Sequence, residues 1–405
     1  MSLQSRQFSS APSTWSQRLS RLDALLVETQ WLWRPAPFKE VRPAWCEQLP
    51  QLCAALLALD EPSLAALAAS DEQRQAWLQG YLPQLQELAE LVALPATTAL
   101  PAFEVGPHFG WEIPGRKWQQ ITTFAAALGT VRAPLLEWCG GKGHLGRLLA
   151  MQWRQPVTTL ELDDTLCSEG ARLAQRAHIA QQFHQGDALS RQAAQLLPAR
   201  HAVALHACGE LHRTLLREAV AAQLPALDLA PCCYAHLAAE QYRPFSAQTS
   251  LQVSHDDLRL AVTETVTAAP REVRQRDKEM AWKLGFDALR RELLGIAHYL
   301  PLRPIDKGWL KLDFAGFCRQ LARREGVPLP AEVDWAAYQQ TGWQRQYDSQ
   351  RLTLVRHAFR RALELWLVLD MAVYLETHGY AVGLVTFCER SVTPRNILLS
   401  ARRSK

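Results

Sequence analysis

The sequence predicts an α/β fold: a Rossmann-like, mostly parallel sheet that closes with an antiparallel hairpin, joined to a helical N-terminal domain and a helical insertion. Three observations carry this expectation. Short apolar runs alternate with helix-like stretches from about Pro134 to Tyr234, the pattern of β-α-β units with right-handed crossovers. Four glycines crowd the turn after the first run, in "LLEWCGGKGHLGRLLA" (Leu135 to Ala150). Two strand-like runs, "VGLVTFCE" and "NILLSAR", flank "RSVTPR", a gap short enough for a hairpin.

In chain order, residues 1–100 are rich in Leu, Ala, Gln and Glu at helical period with short breaks, and are expected to form a separate helical domain. "PATTALPAF" is expected to be a linker. Residues 101–235 form the Rossmann-like core. Its expected strands are "LLEW", "VTTLEL", "QFHQ", "AVALHA" and "ALDLA", and its helices are "GRLLAMQW", "LCSEGARLAQRAHIA" and "ELHRTLLREAVAA". Residues 236–378 return to helical pattern as an insertion and substrate region, and 379–405 supply the closing hairpin. No internal repeat or low-complexity tail is present.

Composition narrows the class. The chain has 405 residues, 48% hydrophobic and 21% charged, which suits a globular protein of two or three domains. A net charge of +4 permits a nucleic-acid partner without demanding one. "MSLQSRQFSSAPSTW" lacks the apolar core of a signal peptide. The most apolar late segment, "ALELWLVLDMAVYLETHGY", contains Glu364, Asp370 and Glu376, which argues against a membrane span. The nine cysteines are odd in number and scattered, as expected of reduced thiols in a cytoplasmic protein. Protein partners are not legible.

Glycines at a strand-to-helix junction let backbone approach a ligand closely. Gly141, Gly143 and Gly146 fit the dinucleotide fingerprint, which alone is weak, and a tight turn before a helix is the plain alternative. Context favours S-adenosyl-L-methionine over NAD. Glu137 ends the first strand, ahead of the glycines, and suits the amino acid moiety of that cofactor. Glu161 ends the second strand, where a carboxylate can accept both ribose hydroxyls. Asp187, in "HQGDAL" after the third strand, is placed for the adenine amino group. Cys139 stands where the usual pattern has its first glycine. The cofactor set is therefore Glu137, Cys139, Gly141, Gly143, His144, Glu161, Asp187 and His206.

Two more stretches fall at the expected carboxyl ends of strands, "LHACGEL" and "LAPCCY". Three readings of their cysteines compete. His206, Cys208, Cys232 and Cys233 are possible zinc ligands, but no C-x-x-C spacing is present, and no metal is expected. "DLAPCCY" faintly echoes the nucleophilic "DAPC" of RNA cytosine-5 methyltransferases, although on the fifth strand and not the fourth. Small, soft side chains can also simply pack beneath cofactor and substrate.

Taken in order, "EWCGGKGHLGRLL", "ALHACGEL", "APCCY" and "SVTPRNILL" resemble a family of S-adenosylmethionine-dependent methyltransferases. That family includes the methyltransferase-like domain of the glutathione S-transferase C-terminal domain-containing proteins. It is similar to the acceptor-stem tRNA 2′-O-methyltransferases, with their "HLCG" and "CCH" motifs. "PGRKWQQITTF" looks like the basic helix leading into the domain. The resemblance covers roughly 114–240 and 353–405, and implies a class I methyltransferase sheet. One departure is Glu210 directly after Gly209, with Arg213 near the Asp of the tRNA enzymes.

The resemblance implies methyl transfer to RNA, tRNA or rRNA, in the cytoplasm. The alternatives are a cofactor-binding scaffold without activity, or a methyltransferase of protein or a small molecule. His206 and Glu210 are the candidate proton acceptors; a buried histidine and a first-turn helix acid are their plain alternatives. Arg116, Lys117, Cys232, Cys233, Tyr234 and Arg395 are the expected substrate contacts. "REVRQRDKEMAWK", Arg356, Arg360 and Arg361 could meet phosphates, and Trp282 and Trp309 could stack bases, against solvated helix faces and core packing.

Overall fold

The expected strands are strands. A computed structural model describes residues 14–97, 103, 105, 106, 109, 110, 112–131, 133–263 and 270–404. It contains β1 (Leu135–Trp138), β2 (Val157–Glu161), β3 (Gln181–Gln185), β4 (His201–Cys208), β5 (Ala226–Cys232), β6 (Tyr380–Thr386) and β7 (Ile397–Arg403). They form one sheet in the order β3-β2-β1-β4-β5-β7-β6. β1 to β5 pair in parallel, whereas β7 runs antiparallel to both β5 and β6. The expected Rossmann-like, mostly parallel sheet with an antiparallel closing pair is thus the observed fold. The hairpin differs in detail from a tight turn. Residues 387–396 connect its strands, and β7 lies inside the sheet, leaving β6 at the edge.

Burial explains why β5 accepts this partner. Every residue of β5 is buried, including Asp228. An unpaired carboxylate there would cost several kcal/mol. Arg402 of β7 donates to both its oxygens at 2.9 and 3.1 Å, and His201 Nε2 lies 2.5 Å from Oδ2. Burial alone would raise the carboxyl pKa; the Arg402 charge and the His201 bond outweigh it and hold the group far below its ordinary value.

The chain divides into two compact units. One comprises Met1–Val27, Glu90–Glu264 and Arg360–Lys405; the other comprises Glu28–Ala89 and Thr265–Phe359. The expected boundaries at 100, 235 and 378 follow the chain, whereas both units are discontinuous. Helix Thr14–Glu28 lies almost wholly in the sheet's unit. Its Asp23 accepts from Ser250 N at 2.8 Å, Leu251 N at 3.1 Å and Trp366 Nε1 at 2.9 Å. Such distant partners leave no trace in local periodicity. Most of the expected linker, residues 98–102, lies outside the described residues. Among those described, no single helix is long and apolar enough to cross a membrane.

In the second unit, helices Pro270–Leu294 and Trp335–His357 cross backbone to backbone. A Cβ on Gly342 would stand 2.3 Å from Ala281 O, and one on Gly285 would stand 2.7 Å from Tyr338 O. Beside the crossing, buried Asp287 is bonded to Arg290, Arg291 and Arg345 at 3.1, 2.7 and 3.0 Å. Trp282 is buried in this unit's core with Phe286, Phe314 and Phe317. Gly342→Ala is expected to force the helices apart and cost about 1–3 kcal/mol, as overpacking does. Urea denaturation of the two proteins measures the difference; equal midpoints would contradict the close crossing.

Candidate active site

β1 and β4 are neighbours from which the chain departs in opposite directions, so their carboxyl ends flank a topological switch point. A parallel sheet leaves a ligand crevice there. The glycine turn follows β1, and the "HACG" turn follows β4.

The first half of the site rests on Glu137. Its carboxyl is 2% exposed and lies under the glycine turn. Thr159 Oγ1 donates to it at 2.7 Å, Gln181 Nε2 donates to Thr159 Oγ1 at 2.8 Å, and Gly146 N–H also bonds it. Burial pushes its pKa up to about 7, against the lowering effect of those bonds and of Arg147 and Lys117. Most of the glycines serve this packing. A Cβ on Gly140 or Gly146 would lie 2.5 Å from the Glu137 carboxyl, and one on Gly143 would lie 2.3 Å from Gln181. This corrects the expectation that the glycines as a group admit ligand. Of the four glycines in this turn, only Gly141, at φ +60°, combines a left-handed backbone with empty space over its Cα.

The acids at the next two strand ends are accessible. Glu161 is partly buried; its Oε2 accepts from Gly141 N at 2.8 Å, and Oε1 accepts from Leu162 N at 2.9 Å and Asp163 N at 3.1 Å. Exposed Asp187 accepts from Leu189 N at 2.9 Å. Cys139, at φ +55°, takes a conformation that glycine prefers. Burial pushes its thiol up to about 12, with Glu161, Cys208 and Asp187 adding to the effect, which sets it between the two halves of the site. His144 is buried with Nδ1 2.7 Å from Arg147, and burial takes its pKa down to about 4. Arg116 and Lys117 are exposed on helix Gly115–Ala127, and the Lys117 charge reaches Glu137 and His144.

The second half is two interlocked turns. Gly209 N donates to Cys232 O and Glu210 N donates to His236 O, both at 3.1 Å. Gly209 has φ +55°, and a Cβ on it would lie 2.0 Å from His236 O, so no other residue fits. β4 loses register with β5 between Leu205 and Cys208, where His206 has φ +63°. The His206 ring is partly buried, its Nδ1 has no hydrogen-bond partner, and burial lowers its pKa to about 4. Cys208 Sγ lies 3.3 Å from Cys232 Sγ, and Cys233 is exposed beside them. The charge of Arg395, in the β6–β7 connection, reaches His206 and Cys233.

Several expected roles change. Glu210 is ion-paired with Arg213 Nε at 3.2 Å and with Arg217, so both its oxygens are engaged along its own helix and it is not aimed at an acceptor. Tyr234 is 2% exposed and packs edge-on against His212, which removes it from substrate contact. Arg360 is buried and donates to Thr263 O, and Arg361 pairs with Glu364 at 2.7 Å. Trp282 is buried and Trp309 lies under Arg324, so neither offers a bare ring for stacking. Sequence reasoning missed Thr159, Gln181 and Asn396. Thr159 is a polar residue in the buried strand β2, which is its one local signal, whereas Gln181 sits in the polar strand β3 and has none. Asn396 Nδ2 donates to Cys388 O at 2.7 Å while its buried Oδ1 has no partner.

Residues 116–240 match a family model described as a methyltransferase domain. The match begins on the basic helix, takes in both halves of the site and ends past the cysteine turn. No curated protein matches the chain. Among solved structures, the chain is similar to an O-methyltransferase family protein from Burkholderia thailandensis, at 13% identity over 96% of each chain with a TM-score of 0.30.

Glu137 gives the sheet's unit a pH signature. Its folded pKa of about 7 lies above the ordinary 4.5. Stability from the neutral carboxyl is complete below 4.5 and lost as pH rises through 7. A shift of this size corresponds to on the order of 3 kcal/mol. Wild-type stability should fall by that order between pH 4.5 and 8, and Glu137→Gln should flatten the decline. Denaturant titrations across this range test it; parallel curves would show that Glu137 is not the group responsible.

Proposed function

We propose that the protein is an S-adenosyl-L-methionine-dependent methyltransferase acting on RNA, with tRNA or rRNA as substrate. The observation that carries the cofactor reading is the open, left-handed Gly141 with the Glu161 carboxylate bonded to its N–H. Here the backbone is bare and an acid adjoins it. A carboxylate has about four acceptor sites. Three N–H groups use three of them, leaving Oε2 room for one ribose hydroxyl in place of the two expected from sequence. Asp187 would take the adenine amino group. Cys139, Gly143 and His144 shape the turn, with Glu137 as its support. When bound, S-adenosyl-L-methionine supplies an electrophilic methyl group.

The chain's own residues then hold the acceptor and its proton. His206 is neutral at physiological pH, and its free Nδ1 can accept a proton. Lys117, Arg116 and Arg395 bring positive charge to the site's rim, which suits a phosphate backbone. The RNA reading rests on them and on the resemblance to the tRNA 2′-O-methyltransferases. Soluble operation in the cytoplasm is part of the proposal.

Glu161→Ala should weaken S-adenosylmethionine binding in calorimetry by about 10–100-fold, as expected for one charge-assisted hydrogen bond. Unchanged affinity would refute the placement of the ribose. His206→Ala should keep affinity and lose turnover. With wild type, the single-turnover rate should rise through about pH 4 and stay level to pH 7, since the neutral ring is the active form; full turnover in folded His206→Ala would exclude His206 as proton acceptor. Mass spectrometry of nucleosides from a deletion strain should show one methylated nucleoside missing. Intact RNA with a lost methylated protein or metabolite would overturn the substrate, and no loss of any kind would favour the scaffold.

A further inference from the structure

Cys208, Cys232 and Cys233 bring three sulfurs within 4.8 Å of one another at the carboxyl ends of β4 and β5. Adjacent residues on a strand point to opposite faces, so a neighbouring pair such as Cys232–Cys233 would not share one ion if the strand ran on through both. The structure removes that objection. Cys208 and Cys232 are register partners across two strands. The chain then turns at Cys233, with φ +45°, which ends the alternation and swings its thiol to the side of the other two.

We propose that these three thiols bind one soft divalent cation, zinc, as thiolates, with the fourth coordination position open to an outside ligand. Sulfurs on one tetrahedral zinc, each at about 2.3 Å, lie about 3.8 Å apart. The 3.3 Å separation of Cys208 Sγ and Cys232 Sγ is close to that figure. Cys233 is exposed and gives the ion a way in. The ion and three thiolates leave one net negative charge, which faces the positive charge of Arg395. Among the described residues, no imidazole or carboxylate joins the three sulfurs within the same radius. The donor set is therefore the open type, and the buried, unpartnered His206 Nδ1 lies on the same strand end. Each thiol that ligates releases its proton, so binding should tighten as pH rises.

The full-length protein, reduced with a phosphine, would be titrated with Co(II) as a spectroscopic probe and then with Zn(II) against a chromophoric chelator. One Co(II) per chain is expected, with thiolate-to-metal charge transfer and tetrahedral visible bands that Zn(II) abolishes. Cys233→Ser, at an exposed position, should lower Zn(II) affinity at least tenfold, and Cys208→Ser should do the same. Cys318→Ser, in the helical unit, should bind like wild type. Circular dichroism verifies the fold of each variant. Absence of charge transfer in the reduced wild type, or unchanged affinity in folded Cys233→Ser, would overturn the site. These readouts concern the metal alone and hold whether or not methyl transfer is found.

Discussion

A carboxyl group sealed from water is costly unless it is neutral or bonded, and one half of the site is arranged around such a group. Glu137 is covered by the glycine turn, bonded from the side by Thr159 and, through Thr159, linked to Gln181. The turn can pass over it only where side chains are missing, which accounts for Gly140 and Gly146. Gly143 makes the same allowance for Gln181 and Phe183. The result is a turn with little freedom to move, fixed from below by packing and from the side by the Glu161–Gly141 bond. A floor held in this way needs no reordering to receive a ligand, and preorganisation of that kind preserves affinity.

The other half is fixed by backbone bonds. Gly209 and Glu210 donate to carbonyls of the cysteine turn, so the loops after β4 and β5 behave as one piece. Left-handed conformations at His206 and Cys233 are uncommon for residues with a Cβ and cost on the order of 1–3 kcal/mol each. The interlocked turns oppose their relaxation. Such strain is found where side chains must be aimed, and these two residues carry the ring and the thiol at the mouth of the crevice.

The sheet was legible because its strands are short apolar runs separated by helical period, and all seven were located. The positions of the glycine turn, Glu161 and Asp187 followed from the same pattern, since a strand end is a fixed place in this topology. What the sequence did not show depends on distant partners. Nothing near Glu210 marks its ion pairs, and nothing near Asp23 indicates Ser250 or Trp366. The glycines were attributed to ligand approach because the groups that hold the Glu137 carboxyl beneath them, Thr159 and Gln181, lie on other strands. Arg360 looked like a surface group on a charged helix, and tertiary packing buried it, while Trp282 took the core-packing alternative.

The position of β7 has a consequence for synthesis on the ribosome. β5 is an interior strand whose free side is covered only by Ile397–Arg403, and the Asp228 charge stays without its guanidinium until Arg402 arrives. Between those strands the ribosome must make all of Thr265–Phe359. During that interval the nascent sheet presents an open hydrogen-bonding edge and an incompletely compensated charge, a combination that invites wrong pairing. The half-built sheet is therefore the stage at which the chain most needs protection, and slow translation of the inserted helices would prolong it.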